Sequence, residues 1–196
     1  MNILIENIGK SQDLFLISVP KEKIFWCCEE NLQNTLKELF PEKTILKNKS
    51  IKVENKVFRP DYSIPDIKIA IDFQGDYHYL KSKVVYNDSM RRTIFERNFW
   101  RFIEIPYFVQ LTKDVIEYLF GDLVDKKLIK DFSNGFPHGF IHPASGSFGN
   151  FCLKGLEKAK DIIDRFPPCV KKQCFESLEK RSSIEKIPLE YYNPFI

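Results

Sequence analysis

The sequence predicts an α/β fold, and three stretches carry that expectation. Between Ile67 and Gln74, isoleucine and phenylalanine alternate with Lys68, Ala70, Asp72 and Gln74. A period of two over eight residues, with β-branched side chains on one side, describes a strand with one apolar face. Between residues 21 and 40, Ile24, Phe25, Cys28, Leu32, Leu36, Leu39 and Phe40 recur at helical spacing, and Pro41 closes the run. Residues 99–106 alternate again, with Phe102 and Trp100 on one face and Ile103 and Ile105 on the other. Apolar residues on both faces predict a central strand with helices on both sides.

In chain order, the apolar run from Asp13 to Val19 reads as an added edge strand or arm that Pro20 ends. The helix over 21–40 carries Glu29 and Glu30; Cys27 and Cys28 read as core or partly exposed thiols. Residues 43–59 set Lys43, Lys47, Lys49, Lys52, Lys56 and Arg59 against one acid, Glu54. Such a run is either a solvated strand edge or a track for a phosphate backbone. Residues 58–79, FRPDYSIPDIKIAIDFQGDYHY, read as a β-hairpin turning at Ile64-Pro65-Asp66. After it, Tyr86-Asn87 reads as a turn and Asp88 as the N-cap of a helix reaching about Asn98. Arg91 and Arg92 then fall in its first turns, where cations oppose the helix dipole unless an anion is present; the plain alternative is a surface pair of Arg92 with Glu96. Thr112 begins a further helix through Val115, Ile116, Leu119 and Phe120. From about Lys130 the chain turns glycine- and aromatic-rich, which predicts an ordered or recognition loop. Two helices follow, about 151–165 and 169–181, separated by Pro167-Pro168.

Composition narrows the classes. With 196 residues, 43% of them hydrophobic and 29% charged, the chain suits one sizeable core plus an appendage. No apolar run approaches the roughly 20 residues that span a bilayer, and no secretory leader is legible, so no membrane partner is expected. Five cysteines, two adjacent, make a poor disulfide framework and point to an intracellular, reducing setting, cytoplasmic or nuclear.

The chemistry concentrates in the 58–79 stretch. Folding the hairpin back places Asp61 beside Asp72, with Gln74 on the same face and His78 near the same end. Adjacent carboxylates both stay ionised only when a cation neutralises them, and hard carboxylate oxygens suit Mg²⁺ or Mn²⁺. Gln74 offers a carbonyl to water and an amide to a phosphate oxygen; His78 offers a general acid, base or phosphate ligand. A solvated amphipathic hairpin is the plain alternative.

Pro60-Asp61 followed by Asp72-Phe73-Gln74 resembles the signature of the PD-(D/E)xK nucleases. The longer run, through Asp88, Arg91, Arg92 and FWRFIEIPY, resembles their very-short-patch-repair-like endonuclease branch, which includes the RNA-associated RAP domains. The resemblance covers roughly Glu29 to Phe120. It implies a four-stranded mixed sheet flanked by helices and a divalent-metal-dependent endonuclease acting on nucleic acid, DNA ahead of RNA. It implies Asp61 and Asp72 as metal ligands, Glu29 rather than Glu30 as a further ligand, and Arg91 or Arg92 on the scissile phosphate. Two departures stand out: Gln74 replaces the usual lysine and Asp72 the usual glutamate. On this reading residues 1–128 form the nuclease-like core and 129–196 a loop and helical appendage, which could clamp DNA, bind a protein partner or a second copy, or cover the sheet.

Two other classes follow from the same residues: a nucleic-acid-binding module that has lost cleavage, and a protein-interaction subunit using the aromatic C-terminal region. A zinc site from His138, His142, Cys152, Cys169 and Cys174 has the ligand types but not the paired spacing. Triad, P-loop and Rossmann patterns are not present in the sequence.

Overall fold

Four strands pair in the order β1–β4–β5–β6 in the computed structural model, which describes residues 29–133 and 151–185. Strands β1 (Leu46–Lys47), β4 (Tyr62–Ile64) and β5 (Ile69–Gln74) pair antiparallel one after the next, and β6 (Arg101–Pro106) lies parallel to β5. A separate hairpin joins β2 (Ile51–Val53) to β3 (Lys56–Phe58). The helices are α1 (Glu29–Leu39), α2 (Tyr77–Leu80), α3 (Ser82–Arg97), α4 (Lys113–Phe120), α5 (Leu153–Arg165) and α6 (Pro168–Glu185). The chain is therefore a mixed α/β protein with a four-stranded mixed sheet flanked by helices.

The period-two pattern of β5 sorts the layers. Ile69 and Ile71 join the main core with Leu32, Leu36 and Leu39 of α1 and Val115, Ile116 and Phe120 of α4. Ala70 faces the other way, into a smaller cluster with Ile94 and Phe95 of α3, Phe102 of β6 and Val53 of the β2–β3 hairpin. Trp100 packs there against Phe95 at 5.8 Å between ring centroids, a structural role. The turn between β4 and β5 is a short 3₁₀ segment, Pro65–Ile67, closed by Lys68 in the left-handed region at φ 51°.

Three expectations are corrected. Among the described residues β6 is an edge strand of the sheet, not a central one. Its two buried faces report helices above and below, not strands on both sides. Its open side is flanked by α5, where Phe166 beyond the helix end packs edge-on against Tyr118 of α4. Second, no turn interrupts Tyr86-Asn87. α3 starts at Ser82, so Asp88 lies inside the helix and is buried, and Arg91 and Arg92 are well past its first turns. Third, the basic run 43–59 is not a single strand edge: it divides into a short sheet strand and a separate hairpin, tied to the end of α3 where Arg97 and Asn98 donate to Glu54.

Thr112 does precede α4, but its hydroxyl donates to Gln173 of α6 at 2.6 Å rather than capping the helix. The strand-like run 13–19, the first part of the 21–40 helix, most of the aromatic loop with His138 and His142, and the C-terminal Tyr191-Tyr192 lie outside the described residues.

The C-terminal helices enter the same core as the sheet: Ala159, Ile162, Ile163, Val170 and Cys174 are buried with it. Gly155 sets how closely α5 approaches. A Cβ there would stand 1.9 Å from the carbonyl oxygen of Tyr79 and 2.7 Å from its carbon, both backbone atoms that cannot yield. Gly155→Ala is expected to destabilise the protein by about 1–3 kcal/mol in urea unfolding, the cost of overpacking. An unchanged midpoint would mean that α5 does not seat on α2 at this point.

Candidate active site

Asp61 and Asp72 meet because the β4/β5 ladder brings them level. Tyr62 pairs with Ile71, so the next step of the antiparallel register sets Asp61 opposite Asp72, on the face of Ser63 and Ala70. Backbone groups fix both acids. The Phe73 N–H donates to Asp61 Oδ2 at 2.7 Å, and the Asp61 N–H donates to Asp72 Oδ1 at 3.3 Å. Asp72 is 3% exposed. Burial pushes its carboxyl up to about 6 and the charge of Asp61 adds to that, while Arg91 pulls the other way. Burial likewise pushes Asp61 up against the pull of the Phe73 N–H, with Glu29 adding to the rise.

Arg91, not Arg92, reaches the pair. Its Nη1 lies 2.6 Å from Asp72 Oδ2 and its Nη2 donates to Asp72 Oδ1 at 3.1 Å, a two-pronged contact, and its guanidinium rests 5.4 Å above the Phe102 ring. Arg92 points instead to Glu104 of β6, and neither arginine makes the surface pair with Glu96. Glu104 stands level with Asp72 across the parallel β5/β6 ladder. Its carboxylate collects Arg92, the Gln74 amide and, at 3.6 Å, Lys158 of α5. Gln74 is fully buried, and among the described residues its Oε1 has no partner. It therefore lies at the back of the site, against Glu104, rather than open to a ligand. The ammonium next to that position comes from Lys158.

His78 stands on α2 with Nδ1 2.9 Å from Asp88 Oδ2. A proton on its ring would favour the ionised forms of both Asp61 and Asp72, so the ring lies within electrostatic reach of the pair. Lys158 Nζ donates to the same Asp88 oxygen at 2.7 Å. Burial works to raise Asp88, but the bonds from His78 and Lys158 outweigh it and hold the carboxyl low. Burial pushes the Lys158 ammonium down against the pull of Asp88.

Glu29 opens the described part of α1. Its backbone carbonyl accepts from the Tyr62 hydroxyl at 2.7 Å, while its half-exposed carboxylate turns to Asn48 and to Lys47 at 3.7 Å. It touches the pair only through its field. Among the described residues no three acids, histidines or cysteines converge to hold an ion. Asp61 and Asp72 remain a pair. The same holds for Cys152, Cys169 and Cys174, the last of which is buried with its thiol pushed up to about 12.

Asp88, Glu104 and Lys158 are functional candidates that the sequence reading missed. Asp88, Arg91, Arg92 and Phe95 fall at i, i+3, i+4 and i+7, the spacing of one helix face, and that pattern could have revealed Asp88 as inward-facing. Glu104 was legible as the one acid in an apolar strand. Nothing in the sequence pointed to Lys158.

Comparison with family models, with curated proteins and with solved structures found no significant match to this chain. Fold and site define it by themselves as an α/β protein with a buried aspartate pair, an Asp–His couple beside it and a buried ion network behind it. Among the described residues no helix is long and apolar enough to cross a membrane.

Proposed function

We propose that the chain is a divalent-metal-dependent phosphodiesterase that cuts nucleic acid, with DNA as its substrate. The observation that carries this reading is the level placement of Asp61 and Asp72 across β4/β5, with both carboxyls raised. Two acids held together in a dry place at the cost of their ionisation gain most from a bound dication. The four-stranded mixed sheet flanked by helices agrees with what the resemblance to the PD-(D/E)xK nucleases implies. Exposed Lys49, Lys52, Lys56 and Arg59 lead along the chain to Asp61 and offer a polyanion its counter-charge.

The donor set fits Mg²⁺ or Mn²⁺. Among the described residues Asp61 Oδ1 carries no hydrogen bond, and both acids supply hard oxygen ligands; Glu29, whose carboxylate is turned to Asn48 and Lys47, would have to swing round to join them. Such an ion supplies Lewis-acid activation of a phosphodiester and of water. The protein residues do the rest. Arg91 places a guanidinium beside the pair, where it can hold a phosphate oxygen. His78 bonds Asp88 through Nδ1, which leaves Nε2 to take or give a proton at the reacting oxygen. The Phe102 ring beneath the Arg91 guanidinium limits the room of that arginine to swing.

One observation favours a second reading, a binding module that does not cut: the Arg91 guanidinium already occupies both oxygens of Asp72, in effect a built-in counter-cation. Cleavage of plasmid, single-stranded and branched DNA and of RNA, in Mg²⁺, Mn²⁺ or EDTA, separates the two. The enzyme cuts only with metal. The module binds with affinity that falls steeply with salt and does not cut. Arg91→Ala is expected to lower cleavage about 100-fold, the usual loss when one donor to a developing charge is removed, and by much more than it weakens binding in EDTA. If Arg91→Ala instead raises cleavage, the arginine is an inhibitor seated on the metal ligand.

A further inference from the structure

The C-terminal helix α5 reaches the site through one side chain. Lys158 is 12% exposed, its Nζ 2.7 Å from Asp88 Oδ2 and 3.6 Å from Glu104 Oε1, with the Tyr79 ring 5.1 Å away. A helix that merely covers a sheet is served better by leucine or methionine at such a position, because burying an ammonium costs several kcal/mol before its partners return any of it. The partners here sit on two different elements, α3 and β6. The closer of them, Asp88, uses the same oxygen to hold His78. An oxygen gripped from one side by an ammonium cannot rotate away from the imidazole on the other. An ionised Asp88 can only accept, so its contact with Nδ1 selects the neutral His78 tautomer protonated there, and Nε2 has no hydrogen-bond partner among the described residues.

We infer that Lys158 is a positioning residue of the Asp61–Asp72 site: by clamping Asp88 it orients His78 with Nε2 free, so that α5 completes the site. The function served rests on the phosphodiesterase reading, but the clamp itself does not. Tyr79 ties the same helix down from the backbone side, since its carbonyl accepts from the Cys152 N–H at 3.1 Å just before α5 begins. The approach at Gly155 and the ammonium at Lys158 are thus two consequences of one docking, on the turns that carry His78.

The test is the nitrogen resonances of the His78 ring in the full chain, at a pH where the ring is neutral. In the wild type the two nitrogens are expected to be widely separated, one carrying a proton and one bare. In Lys158→Met, close in length but uncharged, the two resonances are expected to move toward each other as the tautomers mix, and Lys158→Arg is expected to restore the separation. Cleavage in Mg²⁺ should fall about tenfold in Lys158→Met and recover in Lys158→Arg, the scale of losing a group that orients a site histidine. Should Lys158→Met not fold, Lys158→Gln, a milder polar change, reads the same signature. A ring spectrum unchanged by loss of the ammonium overturns the inference, whatever happens to cleavage. A wild type that cuts nothing but shows the Lys158-dependent tautomer sinks the phosphodiesterase reading and leaves the clamp standing.

Discussion

Asp72→Asn is expected to abolish metal-dependent cleavage and, above neutral pH, to narrow or reverse the stability gap to the wild type. The carboxyl titrates near 6 in the folded chain against 3.8 when unperturbed, because burial and Asp61 together outweigh Arg91. A raised folded value means that the folded state holds its proton more tightly than the unfolded one. The contribution is therefore fully present below about pH 4 and is lost as the pH climbs through 6. The span of roughly two pH units corresponds to about 3 kcal/mol. Asparagine cannot ionise, so the variant escapes that loss, though it gives up part of the Arg91 contact. In urea unfolding from pH 4 to pH 8, the difference between variant and wild type should drift toward the variant. Mg²⁺ or Mn²⁺ should raise the melting temperature of the wild type increasingly as the pH climbs through 6 and Asp72 ionises, and leave Asp72→Asn unmoved. Cleavage that survives both Asp61→Ala and Asp72→Ala would falsify the assignment of the site.

The parts of this fold legible in the sequence were those with a clean period and a single purpose. β5 alternated because one face meets the α1 layer and the other meets α3. The Asp61–Asp72 encounter followed from that alternation together with the turn at Pro65. α4 was legible from Val115, Ile116 and Phe120 on one stripe. Of α3, the helix and its end near Asn98 were legible but its start was not, because its inward face mixes Asp88, Arg91 and Arg92 with Ile94 and Phe95. A hydrophobic period cannot mark a helix face that buries ions, and the start at Ser82 was lost with it. β6 misled for a related reason: burial on both faces measures layers, and the strand order is set by hydrogen bonds that composition does not record. The choice between Arg91 and Arg92 turned on about one-third of a helical turn, which only the packing of α3 over Phe102 decides. Lys158 lies 70 residues from Asp88, and no local pattern links them.

That ion network supports a second large effect, this time on stability. Glu104→Ala is expected to destabilise the protein by about 3–5 kcal/mol, the range for removing one member of a buried charged cluster. The Glu104 side chain is 3% exposed and stands among Arg92, Lys158 and the Gln74 amide. Without it, the Arg92 and Lys158 cations lose the carboxylate they share. Arg92 already feels the strain of its surroundings: burial pushes its guanidinium down, and the nearby charge of Arg165 adds to that. Glu104→Gln keeps the shape and a hydrogen-bond acceptor and should cost less. Restoring balance by charge removal is the sharper check. Arg92→Met combined with Glu104→Leu replaces an ion pair by apolar volume, and such swaps are often neutral or stabilising. Recovery in the double variant beyond the sum of the single effects, measured as a double-mutant cycle in urea, would show that the single loss came from an orphaned charge rather than from a hole in the packing. If Glu104→Ala unfolds no earlier than the wild type, α5 does not dock through Lys158, and the clamp on His78 loses its anchor on the sheet.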